Sequence, residues 1–72
     1  MPVEYDLRGV PCPLTWARAR VRLEELGRGT MLVVVTDDAH SARDMPRAAE
    51  ASGFAVVEVV AVGDHWRVTF ET

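Results

Sequence analysis

One stretch near the middle of the chain, TMLVVVT from Thr30 to Thr36, limits the folds open to this sequence more than any other. It is almost continuously apolar and rich in β-branched residues, which is typical of a central strand covered on at least one face. The chain has 72 residues, and a chain this short buries only about 60% of the surface that its unfolded form exposes. We therefore expect a small core, with helices packed directly against a sheet.

Two segments with helical periodicity flank this strand. Between Pro13 and Leu26, the apolar residues Trp16, Ala19, Leu23 and Leu26 recur on one face of a predicted helix. A second helix is predicted after the strand, with Met45, Ala48, Ala49 and Ser52 facing inward.

The start of the second helix depends on Pro46. Proline lacks the N–H group that a helix interior uses, so a helix that began at Ser41 would lose a hydrogen bond. We therefore expect this helix to begin late, with Asp44 as its N-cap.

Three further segments read as strands. They are VEYDL at Val3 to Leu7, AVVEVVAV at Ala55 to Val62 and HWRVTFE at His65 to Glu71. The last two are separated only by Gly63 and Asp64, a spacing typical of a hairpin. The order β-α-β-α-β-β predicts an α/β fold, a two-layer α+β sandwich with two helices on one face of a mixed four-stranded sheet. No repeat or linker interrupts it, so residues 1–72 are expected to form a single domain.

Composition excludes several function classes. The net charge of −3 argues against a broad phosphate-binding surface, so nucleic acid is not an expected partner. The longest apolar run is far shorter than the ~20 residues that cross a bilayer. The chain has one cysteine, which cannot form an intrachain disulfide, and its start lacks the pattern of a signal peptide. We expect a cytoplasmic protein with no membrane partner.

The only cysteine, Cys12, lies in the stretch RGVPCPLTW, between the first strand and the first helix. Pro13 follows it and has the backbone φ angle that a first helical residue needs. A thiolate at a helix N-terminus is stabilised by the helix dipole, and Arg8 would add to that field if its side chain folded back. A lone cysteine is more often a small buried apolar residue. From the residues alone, a reactive and a structural thiol are equally supported.

The other candidates for chemistry are weaker. His40 and His65 are the only histidines; we expect both on the surface, so no general base is assured beside the thiol. No spacing indicates a metal site, and no cofactor is expected. Asp37 and Asp38 are expected to form a turn and to be solvated. A cysteine that carries a group is therefore favoured over one that hydrolyses a substrate.

The motif DLRGVPCP indicates a family. Asp6, Gly9, Cys12 and Pro13 stand at the spacing found in the TusA family of small sulfur carriers, also known as SirA-like or YedF-like proteins, which this chain resembles. The helix face described above, the strand followed by two aspartates and the segment ARDMP at 42–46 extend the resemblance along essentially the whole chain.

This resemblance implies a fold like the C-terminal domain of translation initiation factor three, and a persulfide on Cys12. Sulfane sulfur would come from a cysteine desulfurase or a rhodanese and pass to an acceptor protein, for tRNA thiolation, cofactor synthesis or sulfur oxidation. The protein would be a sulfur carrier rather than a stand-alone enzyme. One position departs from the Cys-Pro-x-Pro motif of the family, because Thr15 replaces the second proline. We expect the fold to tolerate this change and the shape of the rim and the choice of partner to be affected.

Two other functions stay open. The chain could be an interaction or regulatory module with this fold and an idle thiol. RNA binding is suggested only by the shared fold, and fold alone does not carry function. We expect a monomer, with a weak dimer through a strand edge as the alternative.

Overall fold

The predicted elements are all present, in the predicted order. A computed structural model describes residues 2–11 and 13–72. Its elements are β1 (Val3–Asp6), α1 (Leu14–Leu26), β2 (Met31–Thr36), α2 (Ala39–Ala51), β3 (Ala55–Val62) and β4 (His65–Glu71).

The strands form one mixed sheet in the order β1-β2-β4-β3. β1 and β2 are parallel, whereas β4 is antiparallel to both β2 and β3. A parallel pair needs a crossover connection, and α1 supplies it between β1 and β2. β3 and β4 form the predicted hairpin around Gly63 and Asp64. The prediction of two helices packed on a mixed four-stranded sheet is confirmed.

The core lies between the sheet and the two helices. Its fully or almost fully buried members are Leu7, Leu32, Val34, Val68 and Phe70 on the sheet side and Ala19, Leu23, Met45 and Ala49 on the helices. The indole of Trp16 packs against this core, with its ring centroid 6.4 Å from that of Phe70. The predicted inward face of α1 is therefore correct.

The predicted start of the second helix is wrong. α2 begins at Ala39, and its N-cap is Asp38, whose carboxylate accepts a hydrogen bond of 2.9 Å from the His40 N–H group. Asp44 lies inside the helix, exposed, where it pairs with Arg43.

The reason is burial of the extra turn. The early start places Ser41 and Ala42 in the interior, with 3% and 7% of their surfaces exposed. It also leaves Pro46 inside the helix, at the cost of one backbone hydrogen bond. The local rule for proline is thus outweighed by tertiary packing. Each helix has 13 residues, and none in the described part of the chain is long and apolar enough to span a membrane.

The outer strand β3 is unusually apolar for a sheet edge. Its large apolar residues that are exposed are Val57, Val59, Val60 and Val62. The pairing of β3 with β4 shifts register between Val56 and Glu58, an irregularity of the kind that proteins use to keep a sheet edge from pairing with another strand.

Candidate functional site

Those predicted site residues that the structure describes lie at one end of the sheet. Because β1 and β2 are parallel, their carboxyl ends meet there, with Asp6 beside Val35 in the register. The segment that leaves β1 crosses this end to reach α1. Cys12, the predicted sulfur acceptor, lies outside the described residues, and the geometry below is that of its neighbours in the chain.

Asp6 and Arg8 form a bidentate ion pair at the end of β1. The guanidinium donates two hydrogen bonds to the Asp6 carboxylate, Nε to Oδ1 at 3.0 Å and Nη2 to Oδ2 at 2.8 Å. The Arg8 backbone N–H donates to Oδ1 as well, at 3.0 Å. The side-chain hydrogen bonds, followed by the backbone one, lower the pKa of Asp6 to about 2. Much of the positive charge of Arg8 is therefore offset by Asp6.

Gly9 has a backbone conformation that explains its place in the motif. Its φ angle is +84°, in the left-handed region that residues with a side chain rarely adopt. In this conformation its N–H group donates a 3.0 Å hydrogen bond to Oδ1 of Asp37. Asp37 is exposed, as predicted, but it also holds the segment before Cys12 against the end of β2.

Thr15 lies in the interior. It replaces the second proline of the family motif, and its side chain is fully buried. Its hydroxyl donates a hydrogen bond of 2.9 Å to the Val10 carbonyl oxygen and accepts one of 3.1 Å from the hydroxyl of Ser41. Thr15 therefore connects α1, α2 and the segment before Cys12.

Pro13 was predicted to be the first residue of α1, but the helix begins one residue later and Pro13 lies just before it. It occupies the N-cap position, and Leu14 is the first helical residue. The N–H group of Leu14 donates to the Pro11 carbonyl at 2.9 Å, and that of Ala17 donates to the Pro13 carbonyl at 3.3 Å. The backbone is thus hydrogen-bonded on both sides of position 12.

A depression opens between the start of α1 and the middle of α2. Its volume is about 200 Å³ and its wall is almost wholly apolar. It is lined by Pro13, Trp16, Ser41, Asp44, Met45 and Ala48.

The histidines differ from each other in their settings. His65 is partly buried at the start of β4, with Nδ1 2.9 Å from the Asp64 carboxylate, and this contact lowers the pKa of Asp64. His40 lies in the first turn of α2 rather than in the predicted loop, and it is exposed. Within residues 2–11 and 13–72, no group of three or more histidine, aspartate and glutamate side chains could hold a metal ion.

Ser41 is the residue of this site that the sequence did not reveal. It is 26 residues from its partner Thr15, and no local pattern links two hydroxyls at that distance. If the start of α2 at Ala39 had been predicted, Ser41 would have been expected in the first turn of the helix, beside the end of the sheet.

Three comparisons with known proteins agree with one another. The family model described as sulfurtransferase TusA matches residues 3–72. Two proteins of Archaeoglobus fulgidus that bear the name of a sulfur carrier protein are similar to this chain. One is 38% identical over 64 residues, covering 88% of this chain and 73% of the relative; the other is 32% identical over 66 residues, covering 92% and 90%.

A solved structure is also similar. The crystal structure of a SirA-like protein from Desulfitobacterium hafniense matches this fold with a TM-score of 0.84. The two proteins are 26% identical, and the match covers 97% of this chain and 96% of the other.

Proposed function

This chain belongs to the TusA sulfurtransferase family, and on that premise we propose that it carries sulfur as a persulfide on Cys12. As a single domain in the cytoplasm, it would receive sulfane sulfur from a donor protein, a cysteine desulfurase or a rhodanese. It would then pass the sulfur to an acceptor protein, and that acceptor would determine the pathway.

The proposed chemistry is a pair of thiol exchange steps. The Cys12 thiolate attacks the outer sulfur of a persulfide on the donor, an S–S bond forms at Cys12, and the donor leaves as a thiolate. In the second step, a cysteine thiolate on the acceptor attacks the outer sulfur, a persulfide forms on the acceptor, and Cys12 leaves as a thiolate. The sulfane sulfur keeps its oxidation state throughout, so neither step needs a redox cofactor.

The observation that carries the proposal is the hydrogen bonding of the residues on both sides of position 12. Before it, Arg8, Gly9 and Val10 are held through Asp6, Asp37 and Thr15; after it, α1 begins within two residues. A helix N-terminus favours a nearby anion and typically lowers the pKa of a cysteine thiol. This placement supports a thiol that is available as a thiolate at neutral pH.

The supporting residues have separate proposed roles. Gly9 supplies the left-handed turn, and Pro13 leads the chain into α1. Asp6 and Arg8 act together, because their ion pair fixes the turn after β1. The same pairing reduces the positive field that Arg8 would otherwise add at the thiolate. The helix N-terminus is then the main source of thiolate stabilisation.

The test is intact-protein mass spectrometry after incubation with a cysteine desulfurase, cysteine and pyridoxal phosphate. We expect a gain of one sulfur atom (~32 Da) that a reductant removes. Cys12→Ser is the control. It should keep the fold, because serine differs from cysteine only by oxygen in place of sulfur, and it should show no gain, because it lacks the thiol that forms a persulfide. No gain from this donor, nor from a rhodanese with thiosulfate, would contradict the proposal and favour an interaction module with an idle thiol.

A further inference from the structure

We propose that Thr15 and Ser41 form a hydroxyl clamp that positions the backbone on the N-terminal side of Cys12 for sulfur transfer. This inference rests on the proposed function and assigns two positioning residues to the same site. Neither residue needs to touch the sulfur, because both act through the Val10 carbonyl group.

The clamp has a defined hydrogen-bond direction. Thr15 has a single hydroxyl proton, and it is directed to the Val10 carbonyl at 2.9 Å. The Thr15 oxygen is then free to accept the proton of Ser41, at 3.1 Å. Both side chains are buried, Thr15 completely and Ser41 with 3% exposed, so water does not replace either partner.

The clamp extends into the sheet. The Val10 N–H group donates to the Leu7 carbonyl at 3.1 Å, and the Leu7 N–H group donates to the Val35 carbonyl at 2.8 Å. A continuous series of hydrogen bonds therefore runs from α2 through α1 and the segment before Cys12 to β1 and β2. Val10, two residues before the cysteine in the chain, is therefore held at both its backbone N–H and its backbone carbonyl.

A hydroxyl is needed at position 15 because it acts both as a donor, to the Val10 carbonyl, and as an acceptor, from Ser41. Valine has the shape of threonine but would leave the partly buried Val10 carbonyl and the buried Ser41 hydroxyl without this partner. Proline, the residue at this place in the family motif, has neither a donor nor an acceptor in its side chain. Thr15 therefore makes two hydrogen bonds that a proline side chain at this position could not make.

The experiment measures two rates in the full chain at a temperature where every variant is folded, as checked by circular dichroism. The first is persulfide formation with a cysteine desulfurase and cysteine; the second is alkylation of Cys12 by iodoacetamide. We expect Thr15→Val to slow persulfide formation by about tenfold to a hundredfold, the range for a small misplacement of reacting groups. We expect it to slow alkylation as well. Thr15→Ser, which keeps the hydroxyl, should recover most of both rates.

Two further variants separate positioning from stability. Ser41→Ala should give an intermediate loss, because the bond from Thr15 to Val10 remains; it also decides the question if Thr15→Val does not fold. Val68→Ala creates a cavity in the core on β4, away from the clamp, and should lower the melting temperature without slowing either rate.

The inference is overturned if Thr15→Val reacts as fast as the parent, if Thr15→Ser is as slow as Thr15→Val, or if Val68→Ala slows both rates equally. Failure of the parent to gain sulfur from any donor would refute the proposed function instead. In that case the alkylation rates alone still decide whether the clamp controls the thiol.

Discussion

At the scale of single residues, the site is held by polar side chains that fix backbone groups. Asp6, Asp37 and Thr15 each accept from or donate to a backbone group between residues 8 and 10. The motif spacing identified Asp6 and Gly9 from the sequence. It could not identify Asp37 as the partner of Gly9, because that contact joins residues 28 positions apart and exists only once β1 and β2 are paired.

Asp6 gives the chain a specific dependence on pH. Its folded-state pKa of about 2 lies below the ordinary aspartate pKa of 3.8, so the stability that its ion pair contributes is present above the unfolded-state pKa. It is lost as the pH falls through 3.8 toward 2. We expect Asp6→Asn, which cannot ionise, to be less stable than the parent at pH 6, with the difference shrinking as the pH falls through this range.

Urea unfolding of both proteins across this pH range checks the prediction. Glu4→Gln is a useful control. Glu4 lies on β1, as Asp6 does, but it pairs with Arg67 of β4, away from the segment that leads to Cys12. A difference between parent and Asp6→Asn that stays constant with pH would show that the Asp6 carboxylate does not act through its charge.

At the scale of elements, the sequence predicted a helix, strand or turn correctly wherever the pattern that indicates it lies within neighbouring residues. The hairpin around Gly63 and Asp64, the apolar strand β2 and the inward face of α1 all follow from short-range periodicity and turn chemistry. The start of α2 was wrong because its stability depends on burying Ser41 and Ala42 against the rest of the fold. That free energy cannot be read from the local sequence.

Pro46 should therefore destabilise α2 in the folded protein. It lies at the eighth position of the helix, where its missing N–H group would otherwise bond to the Ala42 carbonyl. We expect Pro46→Ala to raise the free energy of unfolding by about 1–3 kcal/mol, from the recovered hydrogen bond and the better helix propensity of alanine. Thermal unfolding measures the change.

Pro2→Ala is the matched control, because Pro2 precedes β1 and belongs to no helix. It should leave the melting temperature nearly unchanged. A loss of stability in Pro46→Ala would mean that packing of the proline ring, together with its restriction of the unfolded chain, outweighs the missing hydrogen bond.

At the scale of the whole molecule, the fold depends on very few large side chains. Element order and the shortness of the connections were enough to predict a mixed sheet with two helices. They could not predict that Phe70 would be central, since its fully buried position requires β4 to lie between β2 and β3. Trp16 packs on it from α1, so Phe70 joins the two layers.

Phe70→Ala should bring the whole fold close to unfolding. Removing a buried phenylalanine side chain costs about 3–5 kcal/mol. At ~0.05–0.15 kcal/mol per residue, the total free energy of unfolding of a chain this short is of the same order. We expect a large drop in melting temperature by circular dichroism, and a smaller one for Phe70→Leu, which keeps most of the apolar volume. Equal, small effects for both would show that the core can collapse around the missing ring.

The position of β1 has a consequence for motion. It is the shortest strand, with four residues, and it lies at a free edge of the sheet, bonded to β2 alone. Regions with few contacts open locally at a fraction of the global free energy of unfolding. We therefore expect β1 to open more readily than the other strands while β2, β4 and β3 stay paired, and its opening would loosen the segment that leads to Cys12. That opening would also take Leu7 out of the core, so the surface around Cys12 would change shape only for as long as β1 stays open.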